Sequence, residues 1–454
     1  MTTDRASIVI VGAGIAGVAA AHELAVRRGI RDVVLVDERA PLSLTSDKST
    51  ECYRNWWPDA PTVALMNASI DRLEELAAES DNAFHMNRRG YVWATTDERT
   101  ARELRASAEA ICALGAGELR VHTGGAGDPA YAPISASGLD RVLCGADLVI
   151  DRGLIRERFP YLSTDVAAVL HARRCGWFSA QQLGMYLIER ARDRGLRILR
   201  ASVQGIDVRD GRVAAVRTSS GSIVTEAVVD AAGPFAQDVA AMVGVALPVH
   251  NELHAKVAFR DEARVVPRGA PFIIYADPQR LWLSDGERAS LADEPPEWLT
   301  REFPAGVHLR PEGGPQGDAL LLLWGHDEAP RERVFPPTFD PSYAEICLRG
   351  LVRLIPALAT YVGRTPKPVI DGGYYAKTPE NRPLIGPLPV RGLSALCAFS
   401  GFGIMAACGA AMLLADHLTG RALPAYAPAL LLSRYDDPAY LARIAEWGSR
   451  SGQL

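Results

Sequence analysis

The sequence predicts an α/β fold in two parts, and three observations carry that expectation. Ile8-Val9-Ile10-Val11 runs into Gly12-Ala13-Gly14-Ile15-Ala16-Gly17, followed by an alanine-rich, helix-favouring segment to about Arg28 and a second apolar run, Val33 to Val36, ending on Asp37. Far along the chain a second Gly-rich turn, Ser400-Gly401-Phe402-Gly403, feeds an apolar helix. Between them, residues 241–364 alternate short strands with prolines and aromatics such as Phe272, Tyr275, Trp282 and Trp324. The first pattern is the opening unit of a Rossmann-like parallel sheet. The third is an α+β layer on a mostly antiparallel sheet.

Each part of the opening unit has a task in holding a dinucleotide. Gly12 permits a tight turn, Gly14 lets the backbone approach a pyrophosphate, and Gly17 lets helix and strand pack closely. Ile15 and Ala16 begin the helix, whose free N–H groups and partial positive charge suit that pyrophosphate. Asp37, twenty residues past Gly17, stands where a carboxylate accepts hydrogen bonds from ribose hydroxyls.

The 454 residues suffice for two domains with sizeable cores. A net charge of −5 offers no basis for a nucleic-acid partner or an anionic membrane surface. The seven cysteines are irregularly spaced and include no C-x-x-C pair. That pattern suggests reduced thiols in a cytoplasmic protein rather than a disulfide framework. No uninterrupted apolar stretch reaches about 18 residues, so no transmembrane segment is expected.

From Glu38 to Pro61 the chain reads as loop, with a hydroxyl-rich run from Ser43 to Thr50 suited to phosphate oxygens. Trp56 and Trp57 read as packing against the first helix or as a pocket wall, and Arg54 as an ion-pair partner or a substrate anchor. Helices are expected over Val63–Glu79 and Thr96–Leu114, the latter with Asp97 in its first turn, and a strand over Arg89–Ala94. Gly115 to Ser137 is irregular. A helix over Leu183–Arg194 precedes strands at Leu196–Leu199 and Ser202–Arg209, a turn at Asp210-Gly211, and a returning strand at Val213–Thr218. One strand from Ile223 to Val229 then ends on Asp230-Ala231-Ala232-Gly233, small residues that leave room for a ligand. Later elements are a helix over Tyr343–Ile355, a strand over Leu393–Phe399 and a buried helix from Ile404 to about Leu418. His250 and His254 lie on a strand with no obvious third ligand, so no metal is expected.

Four blocks together resemble the D-amino-acid-oxidase-type FAD oxidoreductases, which include sarcosine oxidase, glycine oxidase and dimethylglycine dehydrogenase. They are Gly12-x-Gly14-x-x-Gly17 with Asp37, Val228 to Phe235, Thr378-Pro379-Glu380 through Gly386, and Phe399 to Gly403. The resemblance implies a discontinuous Rossmann-like FAD-binding domain over 1–85, 150–240 and 365–425. It puts a substrate domain over 86–149 and 241–364 and a C-terminal tail over 426–454. On this carry-over Gly14, Ile15, Ala16, Asp37, Glu38 and Arg39 hold the ADP half of FAD. Ser46, Lys48, Ser49 and Thr50 run beside the pyrophosphate and ring edge, and Val203, Ala232 and Gly233 line the adenine side. Gly401, Phe402, Gly403, Ile404 and Met405 face the flavin edge, where a helix N-terminus favours negative charge. The chain also departs from its relatives. Gly373 stands where covalent sarcosine oxidases carry their flavin-linking cysteine, so non-covalent FAD is expected. Met405 replaces the lysine that helps hold the substrate carboxylate, the position of the lysine that assists oxygen falls in the strand near Leu323, where no lysine stands, and Tyr375 takes the place of glycine oxidase's carboxylate-binding arginine.

Neither a second nucleotide site nor a Gly-x-Ser-x-Gly motif is evident, which disfavours a nicotinamide-dependent monooxygenase and a serine hydrolase. The expected activity is oxidation of a C–N bond in an amine or N-alkyl amino acid by hydride transfer to flavin N5, with O2 or another acceptor taking the electrons. Tyr375 is expected on the substrate side, with Arg54, His254 and Lys377 as further polar candidates. The same scaffold also supports oxidation of an alcohol, a 2-hydroxy acid or a specialised secondary metabolite, or a flavin-bearing assembly factor with little turnover.

Overall fold

The computed structural model describes residues 4–447 except 136–138, 140–142, 291–295 and 315. The end of the irregular stretch expected to Ser137, and the last seven residues of the expected tail, lie outside the described residues. Ile8–Val11 sits inside a six-stranded sheet ordered Arg197–Arg200, Val33–Asp37, Ile8–Val11, Val228–Asp230, Leu393–Cys397, Leu384–Pro387. The first five strands are parallel and the last is antiparallel. Successive side chains point to opposite faces. Ile8 and Ile10 meet the helices, while Val9 and Val11 meet a four-stranded sheet.

That smaller sheet is ordered Asp4–Arg5, Gly221–Val224, Arg212–Thr218, Val203–Arg209. Its hairpin closes at Asp210 and Gly211 with φ of 52° and 71°, the left-handed pair that a two-residue turn requires. The single strand expected from Ile223 to Val229 is in fact two. Gly221–Val224 stays in the small sheet, and Val228–Asp230 joins the large one. Thr225 makes the step, its hydroxyl donating to the Ala227 carbonyl at 3.0 Å and accepting from the Ala227 N–H at 3.3 Å, which meets backbone donors and acceptors at the turn.

On the helical face, Ile15–His22 continues as a wider turn to Arg27 and packs against Ala180–Arg192 and Gly403–Thr419. Ala60–Glu79 crosses Gly403–Thr419 at a polar pin. Ser69 donates to the Met405 carbonyl at 2.5 Å and accepts from the Gly409 N–H at 3.0 Å. A Cβ on Gly409 would stand 2.8 Å from the Leu65 carbonyl oxygen, so the crossing depends on glycine. Asp59 caps Ala60–Glu79 on the Thr62 N–H, three residues before the expected start. Asp97, expected inside a first turn, instead caps Glu98–Ile111 by accepting from the Thr100 N–H at 2.7 Å.

The second part is a nine-stranded sheet. Its order is Val369–Lys377, His250–Arg260, Ala319–Leu323, His308–Glu312, Phe272–Tyr275, Tyr91–Thr95, Ala168–Ala172, Ala146–Val149, Leu119–His122. Two pairs are parallel, Phe272–Tyr275 with Tyr91–Thr95 and Leu119–His122 with Ala146–Val149, and the others are antiparallel. Ile273 and Tyr275 share a core with the helix Tyr343–Val352, and Phe272 and Ile274 share one with Trp56. Trp57 turns instead to the core around the first helix. Ala168–Ala172 and Val369–Lys377 pair within this sheet, although they fall in the 150–240 and 365–425 stretches expected on the cofactor side. Partner register decides sheet membership here.

Beyond Gly420 the chain folds back. Arg434 meets Glu380 at 2.7 Å with both side chains buried, and the Tyr435 and Tyr440 hydroxyls donate to the same carboxylate. All seven cysteines are free thiols. No helix among the described residues is long and apolar enough to cross a membrane.

Two outcomes follow from this packing. Arg434→Ala, which leaves Glu380 buried without its cation, is expected to lower unfolding free energy by about 3–5 kcal/mol, read by urea denaturation. Gly17→Ala would put a Cβ 1.9 Å from the Gly12 carbonyl oxygen. The helix must then lift from the strand at a cost of about 1–3 kcal/mol or more, read as a lower Tm and a lower flavin-to-protein absorbance ratio.

Candidate active site

A cleft opens at the carboxyl ends of Ile8–Val11, Val33–Asp37 and Val228–Asp230 and runs along the sheet to the second Gly-rich turn. Gly12, with φ of 102°, makes the turn out of the first strand; its N–H donates to the Val36 carbonyl at 2.9 Å. Gly14, Ile15 and Ala16 line the cleft, and Ser46 accepts from the Ile15 N–H at 2.9 Å. Asp37 ends its strand with one oxygen accepting from the Ala13 N–H and the other from the Arg39 N–H, each at 2.8 Å. These bonds fix the carboxylate at the cleft wall. Glu38 and Arg39 line the cleft beside it, paired at 2.5 Å, and Arg39 also lies 5.7 Å from the ring centres of Phe235 and Phe335. Ser49, Val203, Ala232 and Gly233 complete this end.

At the far end, Gly401, Gly403 and Ile404 line the cleft. A Cβ on Gly401 would stand 2.4 Å from Tyr375 Cε2, so the tyrosine ring rests on the turn. The helices Ile15–His22 and Gly403–Thr419 both begin at this cleft, and neither has a side-chain hydrogen bond from its own N-cap residue. Their N–H groups and dipoles offer two places for negative charge. The donor set, the fixed Asp37 carboxylate and the small-residue wall fit an extended dinucleotide bearing an electron-rich ring.

Five expected cofactor residues do not line the cleft. Gly17 serves helix–strand contact, as its distance to Gly12 requires. The Lys48 ammonium is held by Asp47 at 2.8 Å and Asp371 at 3.1 Å. The Thr50 carbonyl accepts from buried Arg310 at 2.8 Å and 3.0 Å. Phe402 packs edge-on against Trp57 at 4.8 Å, and the Met405 side chain lies in the helical core.

The four substrate-side candidates separate into distinct roles. Tyr375 lines the cleft, its hydroxyl without a hydrogen-bond partner among the described residues, and burial pushes its pKa up to about 12. Arg54, on the strand Cys52–Arg54, is 8% exposed and has its guanidinium 4.3 Å above the Trp57 ring. It forms no ion pair or side-chain hydrogen bond among the described residues. Burial lowers its pKa, and the groups acting on it, Tyr91, Cys175 and Cys52, are neutral at pH 7. Tyr91 stacks on Phe272 at 4.3 Å, and Phe272 meets His308 at 4.9 Å; these rings and Arg54 lie outside the cleft lining.

Lys377 and His254 serve a buried carboxylate rather than the cleft. Glu252 accepts from Lys377 at 2.8 Å and faces His254 Nε2 at 3.2 Å and His250 Nε2 at 3.1 Å. Burial would raise Glu252, but the His254 and Lys377 hydrogen bonds outweigh it and bring it to about 2. His254 Nδ1 faces Glu328 at 3.1 Å, and the ring stacks on Tyr375 at 4.0 Å. Glu252, His254 and Glu328 present ligand atoms within 4.8 Å of one another, the third partner that the sequence did not reveal. The Lys377 ammonium already supplies the cation at this point. Glu252 was findable: with period two, residues 250, 252 and 254 share one strand face. Glu328 arrives from a distant loop, and no local pattern marks it.

Residues 7–417 match the family described as FAD dependent oxidoreductase. Among solved structures, the chain is similar to L-proline dehydrogenase from P. horikoshii (21% identity, covering 96% of this chain and 99% of that one, TM-score 0.74). It is also similar to glycine oxidase from Geobacillus kaustophilus (20%, 95% and 99%, 0.71) and L-amino acid deaminase from Proteus vulgaris (17%, 95% and 98%, 0.71). With two helix N-termini and Asp37 framing one dinucleotide-length cleft, the chain belongs to the D-amino-acid-oxidase-type FAD-dependent oxidoreductases, and FAD is its cofactor.

Proposed function

We propose that the protein oxidises the C–N bond of an amine that carries a carboxylate, an amino acid or N-alkyl amino acid with an apolar body. The observation that carries this reading is Arg54, a buried guanidinium with no anionic partner among the described residues. An unpaired buried cation costs stability, and a bound carboxylate relieves that cost through charge-assisted hydrogen bonds. The Tyr375 hydroxyl is a donor at the cleft, and the aromatic surroundings of Arg54, with the Trp57 ring 4.3 Å from its guanidinium, suit an apolar body and exclude water. FAD, when bound, supplies the hydride acceptor. The protein's part is to orient the C–H bond next to nitrogen and to hold the carboxylate. No obligatory acid or base is needed if the amine arrives neutral. The ADP half of the cofactor is held by Gly14, Ile15, Ala16 and Asp37, with Ser46 and Ser49 beside the pyrophosphate. Gly401, Gly403 and Ile404 stand at the ring.

The names of the similar structures, dehydrogenase, oxidase and deaminase of amino acids, support the substrate class. Anaerobic mixing with amino acids, N-methyl amino acids, simple amines and 2-hydroxy acids tests it. Bleaching of the flavin band by carboxylate-bearing amines is expected, and bleaching by 2-hydroxy acids alone overturns the reading. Hydrogen peroxide release on admitting air distinguishes an oxidase from a dehydrogenase. Arg54→Met is expected to leave Tm unchanged or raised, because a desolvated charge is removed. It should raise the KM for the amino acid by about 10- to 100-fold, the loss of a charge-assisted hydrogen bond. A purely structural arginine would show the opposite pattern, lower Tm with unchanged KM.

A further inference from the structure

The buried cluster behind Tyr375 is more elaborate than packing requires. Both ring nitrogens of His254 face carboxylates, Nε2 toward Glu252 at 3.2 Å and Nδ1 toward Glu328 at 3.1 Å. A neutral imidazole has only one N–H, so one of these contacts would set a lone pair against a carboxylate oxygen. The imidazolium donates to both. The His254 side chain is 11% exposed, that of Glu252 9% and that of Glu328 33%, so the Nε2 contact is shielded from water and the Nδ1 contact is half-buried. The flat face of this ring lies 4.0 Å from the Tyr375 ring at 15°, and the other side of Tyr375 rests against Gly401 at the cleft.

We propose that His254 is a positioning residue, an imidazolium wedged between Glu252 and Glu328 that backs the Tyr375 ring and keeps its hydroxyl at the cleft as a hydrogen-bond donor. A cation against an aromatic face is attracted by the ring and draws electron density from it, which makes the phenolic hydroxyl a better donor to an anion. The charged groups around His254 are Glu252 on its own strand, Glu328 from the loop after Ala319–Leu323, and Lys377 from the neighbouring strand; His250 acts through Glu252. Burial and Lys377 work against the proton, while Glu252 and Glu328 hold it, leaving His254 above its ordinary value. The donor arrangement is therefore fully present below pH 6.5 and is lost as pH rises through the raised value. The role assigned to Tyr375 rests on the proposed function, whereas the protonation of His254 does not.

The test uses the FAD-loaded protein in two measurements. In the first, 15N-histidine NMR follows the ring nitrogens against pH, with His254 assigned by the signal lost in His254→Gln. A midpoint above 6.5 that falls in Glu328→Gln is expected. A His254 midpoint at or below 6.5 overturns the proposal. In the second, benzoate is titrated against the visible spectrum of bound FAD. Its Kd is expected to rise about 3- to 10-fold, one hydrogen bond's worth, as pH passes the NMR midpoint. In His254→Gln and in Tyr375→Phe, Kd should be raised at low pH and flat across that range. A pH step that persists in His254→Gln overturns the proposal. Wild type showing no benzoate effect at any pH overturns both the carboxylate reading and the donor role of Tyr375, leaving the protonation of His254 to stand or fall by NMR.

Discussion

The cofactor end of the molecule depends on how closely three backbones meet. A Cβ at Gly17 would stand 1.9 Å from the Gly12 carbonyl oxygen, and one at Gly12 would stand 2.4 Å from that of Ala231. Strand, helix and neighbouring strand therefore approach at distances that no side chain allows. Because they do, the first helix begins at the sheet's carboxyl edge with its N–H groups turned toward the cleft. Asp37 takes its place by accepting from Ala13 and Arg39, and Ala231-Ala232-Gly233 passes close enough to form the opposite wall. The polar pin of Ser69 on Met405 and Gly409 performs the same service for the second helix.

The distribution of buried charge separates support from chemistry. Arg434 and Glu380, Arg310 and Glu312, and Lys377 and Glu252 are all paired, as burial demands. Buried Arg54, by contrast, has no ion pair among the described residues. His254 is the reverse case, one ring between two carboxylates. The loop that brings Glu328 also carries Arg333, which pairs with Asp238 at 2.7 Å and donates to the Pro234 carbonyl. A single segment from the nine-stranded side therefore touches both the cluster behind Tyr375 and the wall of the cofactor cleft.

Much of this was legible in the chain. Period-two apolar runs, glycines at turn positions and alanine-rich helices are local signals, and they marked the parallel sheet, the first cleft wall and the second helix. Boundaries moved where a capping side chain set a helix start, as at Asp59 and Asp97, or where Thr225 divided one apolar run between two sheets. Lys48, Thr50, Phe402 and Met405 sit in segments that border the cleft but do not line it. Side-chain direction in a loop depends on backbone angles that composition does not encode.

The sequence by itself determined the fold class and the family, because a dinucleotide site is built from contiguous turns whose glycines and acid are near neighbours in the chain. Only the tertiary structure decided which side chains line the cleft and which support it from behind. Pairing of Val369–Lys377 with His250–Arg260 sets Tyr375 opposite Glu252 and Gly373 opposite His254, and a loop more than seventy residues from His254 supplies Glu328. Whether a buried charge is answered depends on what stands within about 4 Å of it, and here those neighbours are remote in sequence. For that reason Arg54, without an ion pair among the described residues, and the doubly paired His254 emerge only from the folded chain.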